Sequence, residues 1–342
     1  MTLRPVFTGA LALALAFPGT ATVQADAVGD FYSSNRIRII AAAGAGGGFG
    51  LRARLLADRI GRHMPGKPSA VAEFMPGAGG RKAANYIYSL APKDGTTFGV
   101  LFNNTAAVAV IRPEGTRYDP RRFTWLGSQS PSVIVLYAWH TAPARTVEDI
   151  KKTEIIFGTQ AKGGVGYMLT NAANTMIGTR FKIVTGYQGT ADYLKAIEAG
   201  EIHSALADWD SIISVRGKWV QEKTIVPVMQ FGLEKHPTLP GVPRLIDLVR
   251  TDTDRRIAEI EGLVELMGHT NVAPPDVPAD RTAALRKGIA ATYRDAAFRA
   301  AAARVKMTVE PISAEDVEKY VKRILATPPD LLAKARVAFG MN

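Results

Sequence analysis

The sequence has no cysteine. That absence excludes disulfides, thiolate metal ligands, a cysteine nucleophile and lipid attachment through an N-terminal cysteine. Histidine is nearly as scarce: His63, His140, His203, His236 and His269 stand far apart, and none falls into an HxxxH or HExxH spacing. Local pattern therefore offers no metal centre. There is no GxSxG elbow, no Ser/His/acid set suggested by spacing, and no carboxylate pair marked for acid–base work. The chain is expected to be a non-enzyme with no cofactor and no metal. Beyond the N-terminus no uninterrupted apolar run approaches about 18 residues, so the mature chain is expected to be soluble.

What is present is an ordinary globular composition on a long chain. The 342 residues are 47% hydrophobic and 21% charged, too many for one core and comfortable for two lobes. Lys plus Arg outnumber Asp plus Glu by 42 to 31, a formal net charge of +11. The basic residues are spread along the chain. That argues against a nucleic-acid arm and fits a diffuse positive field favouring anionic ligands, although any single Lys or Arg is best read as a solvated surface charge.

The N-terminus reads as an export signal. Arg4 precedes the apolar stretch Val6 to Phe17, which Pro18 and Gly19 end, and small residues follow up to Val23-Gln24-Ala25. A positive n-region, an h-region too short to span a bilayer and a small-x-Ala site predict a signal peptide over 1–25, cleaved near Ala25 or Ala27. The expected location is the periplasm.

The rest alternates strands with helices. Ile37 to Ala43 reads as a buried strand followed by the glycine cluster Gly44 to Gly50, then a helix through Leu51, Leu55, Leu56, Ile60 and Met64. Val71 to Phe74 and Thr97 to Phe102 are further strands. After the apolar run Val133 to Trp139 a second series begins: a strand over 155–157, the loop Gly158 to Gly166, a helix through Met168, Ala172 and Met176, and strands near 181–184, 202–206 and 225–231. From Pro278 the tail is mostly helical, with one long alanine-rich helix expected over 284–303. The pattern implies βαβ units and largely parallel sheets.

Open parallel sheets bind ligands where loops leave the carboxyl ends of their strands. A helix that starts directly after a glycine loop offers unpaired N–H groups and the positive end of its dipole. One such loop is more simply a tight turn; two that face each other can hold the two ends of a small anion. Two tempting motifs fail. Gly44-Ala-Gly46-Gly-Gly-Phe49 has Phe49 where a dinucleotide fingerprint needs its third glycine, and Gly61 to Pro68 mimics a phosphate loop but follows a helix and lacks the hydroxyl residue.

Taken in order, several segments resemble the Bug family, the TctC-like extracytoplasmic receptors of tripartite tricarboxylate transporters. They are Gly46-Gly47-Gly48 with Ala53 to Ala57, Met75 to Gly80, Ala91 to Thr96, Tyr118-Asp119-Pro120 with Phe123, Gly186 to Gly189, Gly200 to Ile202, His236 to Pro243, and Ala273 to Ala279. The resemblance implies an α/β, two-lobed periplasmic binding protein fold of type II-like topology with the ligand cleft between the lobes. Lobe 1 would hold 28–137 plus 264–342, and lobe 2 would hold 138–263.

It further implies that the loop with Ala43, Gly46, Gly47 and Gly48 binds one carboxylate, that the loop with Thr159, Gly163 and Gly164 binds the other end, and that Tyr187 and Gly189 line the remaining wall; Lys162 and Tyr167 in the second loop depart from the family's usual Ser, Thr and Gly. Asn103, Asn104 and Thr105 either hydrogen-bond a ligand or cap the next helix. Asp208 lies at another strand end beside Trp209, which either packs on a ligand's carbon skeleton or belongs to the core. Lys162 either pairs with an anion or points to solvent. Where the family often has an acidic residue shortly after its glycines, this chain has Gly50. The expected partners are a small organic anion, a carboxylate, and the membrane permease subunits of a tripartite transporter, with no nucleic acid and a monomeric receptor. A sensory receptor of the same fold and a periplasmic enzyme acting on carboxylates are the rival readings.

Overall fold

The computed structural model describes residues 21–162, 164–187 and 190–341; the expected signal segment up to residue 20, Gly163 and Gly189 lie outside the described residues. The first lobe opens with α1 (Ala21–Ser34), β1 (Ile37–Ala41), α2 (Gly48–Ile60), β2 (Ala70–Phe74), α3 (Arg81–Ser89), β3 (Thr97–Leu101), α4 (Thr105–Ile111) and β4 (Thr124–Ser128). The second contains β5 (Ile134–Trp139), α5 (Val147–Ile150), β6 (Ile155–Thr159), α6 (Val165–Ile177), β7 (Phe181–Thr185), α7 (Thr190–Glu198), β8 (Ser204–Asp208), α8 (Trp209–Gln221), β9 (Ile225–Phe231) and α9 (Leu245–Leu248). The return is made by α10 (Asp252–Met267), β10 (Thr270–Ala273), α11 (Ala279–Arg294), α12 (Ala296–Arg304), α13 (Ala314–Leu325) and α14 (Pro329–Ala338).

Two five-stranded sheets result, ordered β2-β1-β3-β10-β4 and β7-β6-β8-β5-β9. Within each, β1 with β2 and β3, and β6 with β7 and β8, run parallel, as strands joined by crossover helices do. The strand that enters from the other lobe is antiparallel: β10 against β3 and β4, and β5 against β8 and β9. The sheets are therefore mixed, and the chain crosses once between β4 and β5 and again through α10 into β10. The second sheet begins at Ile134, so a lobe boundary after residue 137 would fall inside β5.

Burial explains why the strands read as unbroken apolar runs. In β1, Ile37 and Ile39 enter a first-lobe core with Leu56, Phe98 and Leu285, while Ile40 on the opposite face joins a second core with Ile87 and Leu101. A strand covered on both faces has no polar side to show. The core containing Ile40 continues across the hinge through α10, α13 and α14 to Phe157 and Val228 of the second lobe. The single helix expected over 284–303 is two helices. Asp295 breaks it, in an extended conformation, and its side chain accepts from the Phe298 N–H to start α12.

Candidate functional site

The two glycine loops begin helices of the same kind. α2 is capped by Gly47 and α6 by Gly164, both extended, and neither receives a side-chain cap. Thr146, Asp208, Thr251, Asp295 and Ser313 cap α5, α8, α10, α12 and α13 with an oxygen, while α3, α4, α11 and α14 also start without a side-chain cap, so what sets α2 and α6 apart is their place at glycine loops of opposite lobes. The first-turn amides of α2 and α6 thus keep the unsatisfied donors that a carboxylate accepts from. Gly44, Gly46 and Gly47 border open space, so the loop around them leaves room for a ligand. Ala43 is half-buried beside them.

Gly48 plays a different part. A β-carbon there would stand 2.0 Å from the Ser211 hydroxyl oxygen, so α2 of the first lobe rests directly on the start of α8 in the second. Other contacts join the same two lobes. Arg112 Nη1 donates to the Lys162 carbonyl at 2.6 Å, Gly79 approaches Gly164, and the Thr308 N–H donates to Asp210 Oδ2 at 3.1 Å. These contacts bridge the two lobes at several points.

The remaining sequence-predicted residues divide. Asp208 sits at the mouth of β8, where its carboxylate caps α8 by accepting from Ser211 N–H and Oγ (2.9 and 2.6 Å) and takes a bond from Ser132 Oγ at 3.3 Å. Asn103 is buried, its Oδ1 accepting from the Asn104 N–H. Thr105 donates its hydroxyl to the Phe102 carbonyl at 2.6 Å, a local bond at the start of α4. Thr159 lies under α6, with Gly166 present because a β-carbon would meet its hydroxyl at 2.4 Å. Lys162 is exposed; its carbonyl, not its ammonium, makes the described contact. Tyr187 is half-buried with its ring edge over Gly158, on the second-lobe core. Trp209 is fully buried and donates to Thr238 Oγ1, which makes it a core residue.

Sequence reasoning missed the buried charges behind these loops. Arg52, one turn after Gly48 on the same face of α2, is 2% exposed and lies 3.6 Å from Asp208 Oδ1. His269, between α10 and β10, lies 3.9 Å from the same oxygen and packs its ring on Phe49. Burial first, and Arg52 second, push the His269 imidazole down to about 3, so it is neutral. On α10, Glu261 and Glu265 are buried one turn apart. Desolvation pushes Glu261 up to about 8 and Glu265 well above the carboxylate range, the latter also repelled by Glu261. A crevice of about 30 Å³ between α4, α6 and α10 is bounded by Asn104, Val165, Met168, Glu261 and Glu265.

No family model matches the chain. A curated relative, a UPF0065 protein of Bordetella bronchiseptica, is 27% identical over 156 residues, 44% of this chain and 45% of that protein. The match thus spans less than half the length of the relative. Solved structures align over far more. R. palustris Rpa4515 with adipate matches at TM-score 0.69 and 19% identity, covering 89% of this chain and 97% of that one. The periplasmic binding protein BugD matches at TM-score 0.68 and 19% identity, covering 89% and 98%. The fold is that of the two-lobed periplasmic binding proteins, and these likenesses support the resemblance to Bug-type, TctC-like receptors.

Proposed function

We propose, from the likeness to Bug-type receptors, that this chain is a periplasmic solute receptor that clamps a small carboxylate between its lobes and presents it to a tripartite membrane transporter. One observation carries the reading. The helices α2 and α6 each start at a cleft edge from a glycine loop without a side-chain cap, and they belong to opposite lobes. Each can take one end of a carboxylic acid through backbone amides, and a ligand bound by both stabilises the closed arrangement over the open one. The adipate bound to the similarly folded R. palustris protein is a molecule of this kind.

Among the described residues near the loops, the hydroxyls of Thr105 and Ser211 are already engaged in local bonds, and His269 is buried and neutral. Binding and release without turnover is the proposed cycle, with export to the periplasm and a monomeric receptor as part of it.

The test is a thermal-shift screen of the mature chain against dicarboxylates from four to six carbons, tricarboxylates, aromatic acids and amino acids. A ligand at about 100 times its Kd adds about 2.7 kcal/mol to stability. Silence across the acids together with a shift by a neutral compound overturns the carboxylate reading.

A further inference from the structure

Arg52 has an environment that packing alone does not explain. Its guanidinium is 2% exposed, and none of its three nitrogens has a hydrogen-bond partner among the described residues. A buried guanidinium without hydrogen bonds is costly unless an opposite charge lies close to it. Its position is set by what lies opposite. Gly48 and Arg52 share one face of α2, and that face meets the start of α8, where Gly48 touches Ser211 and Arg52 Nη2 stands 3.6 Å from Asp208 Oδ1. Arg52 belongs to the first lobe and Asp208 to the second. The ion pair therefore spans the two lobes.

The other groups around Asp208 do not replace Arg52. His269 is uncharged where it lies. Ser132 and Ser211 donate hydrogen bonds without charge. Asp210, the next carboxylate, also feels the Arg52 charge and has further partners in His236 Nε2 at 3.2 Å and the Thr308 N–H. Closing the cleft without Arg52 would bury an aspartate against a ligand that is itself an anion.

We infer that Arg52 is the charge-compensating residue of the cleft: on closure it meets Asp208 from the opposite lobe, cancels the negative charge there and so lets the lobes shut over an anionic ligand. It acts through Asp208, as a positioning and selectivity residue, and touches no ligand atom. The pairing of the lobes stands without any assumption about the ligand; the selectivity rests on the carboxylate reading above.

Four proteins test it: wild type, Arg52→Gln, Asp208→Asn and the double variant. Asparagine keeps an oxygen able to cap α8, so the second substitution removes charge and leaves the cap. Two quantities are read, the radius of gyration of the ligand-free protein by small-angle scattering and the affinity for adipate by calorimetry. Each single variant is expected to increase the radius, as an opened cleft does, and to weaken adipate by about tenfold or more. The double variant is expected to return both toward wild type, a recovery that simple damage to the fold would not give. Singles with unchanged radius and affinity, or a double as impaired as the singles combined, overturn the inference. If wild type binds no acid while the radii still follow the expected pattern, the carboxylate reading falls and the compensating pair stands. If the radii do not respond, the pair falls whatever the ligand.

Discussion

Gly48 and Ser211 stand closer than any residue larger than glycine would allow, because a β-carbon on Gly48 would lie 2.0 Å from the Ser211 Oγ and 2.6 Å from its Cβ. The hydroxyl can rotate away, but the Ser211 Cβ is fixed by the backbone of α8. The start of α2 and the start of α8 thus define how far the lobes can close. Gly48→Ala is expected to hold them apart. Overpacking of this kind costs about 1–3 kcal/mol, roughly fivefold to 150-fold in the affinity of a ligand that needs the closed form. Gly241→Ala, outside both glycine loops and with open space at its Cβ position, is expected to leave affinity within about threefold of wild type by the same scale. Titrating both variants with one identified acid checks the pair; equal losses would mean that the Gly48–Ser211 approach does not limit closure.

Gly50 shows why the acidic residue common in the resembling family is missing here. A β-carbon at this position would stand 2.4 Å from the Gly44 carbonyl oxygen and 2.9 Å from the Ala45 Cα, both backbone atoms that no side-chain rotation can clear. The loop folds back onto its own helix, and Arg54 Nη1 holds it there by donating to the Ala45 carbonyl at 2.8 Å. Restoring an acid by Gly50→Asp is therefore expected to destabilise the first lobe by about 1–3 kcal/mol. Gly50→Ala should do nearly as much, since the clash begins at Cβ. Denaturant midpoints of the two variants separate this account from one based on charge, under which only the aspartate would matter.

How much of this was legible in the sequence depends on how local each feature is. The strands over 37–41, 97–101 and 155–159 announce themselves by β-branched and apolar runs close to glycines. The two glycine loops are visible as residues that tolerate close approach. Arg52 was not visible, because its neighbours Leu51 and Arg54 make it look like one more solvated charge on an amphipathic helix, and its partner Asp208 is far along the chain. The return strand β10 has only four residues and pairs with strands more than a hundred positions away. Glu261 and Glu265 resemble any charged i, i+4 face of a helix until the last two turns of α10 are seen buried. Long-range pairing decides these cases, and periodicity carries no record of it.

Lys162 illustrates a backbone contact hidden behind a suggestive side chain. Its ammonium is exposed, while its carbonyl accepts from Arg112 Nη1 at 2.6 Å, tying the second-lobe loop to the end of α4 in the first lobe. Lys162→Ala is expected to leave stability within about 0.5 kcal/mol of wild type, as for an exposed surface change. Arg112→Ala removes a bond across the lobes and is expected to cost closed-state affinity by severalfold, because an exposed bond of this kind contributes about 0.5–1.5 kcal/mol. A ligand that depended on the Lys162 ammonium would reverse the order of the two variants in a binding titration.

The carboxyls of Glu261 and Glu265 give the protein a pH dependence opposite to that of most proteins with paired surface acids. Desolvation raises both: Glu261 moves from an ordinary value of 4.5 to about 8, and Glu265 moves well upward. The native state therefore holds protons that the unfolded chain has already released at neutral pH. By linkage, stability from this pair is complete below about pH 4.5 and declines as pH rises toward 8, where the native acids must ionise in a dry interior. Glu261→Gln keeps the shape and an acceptor for the Gly232 N–H but cannot ionise. The variant is expected to unfold at a higher temperature than wild type at pH 8, by about 2–4 °C for each kcal/mol recovered, and to show little difference near pH 5. Thermal melts across pH 5 to 8 decide it. Parallel curves for the two proteins would mean that Glu261 is already charged in the native state and paired with a cation that the buried face of α10 does not show.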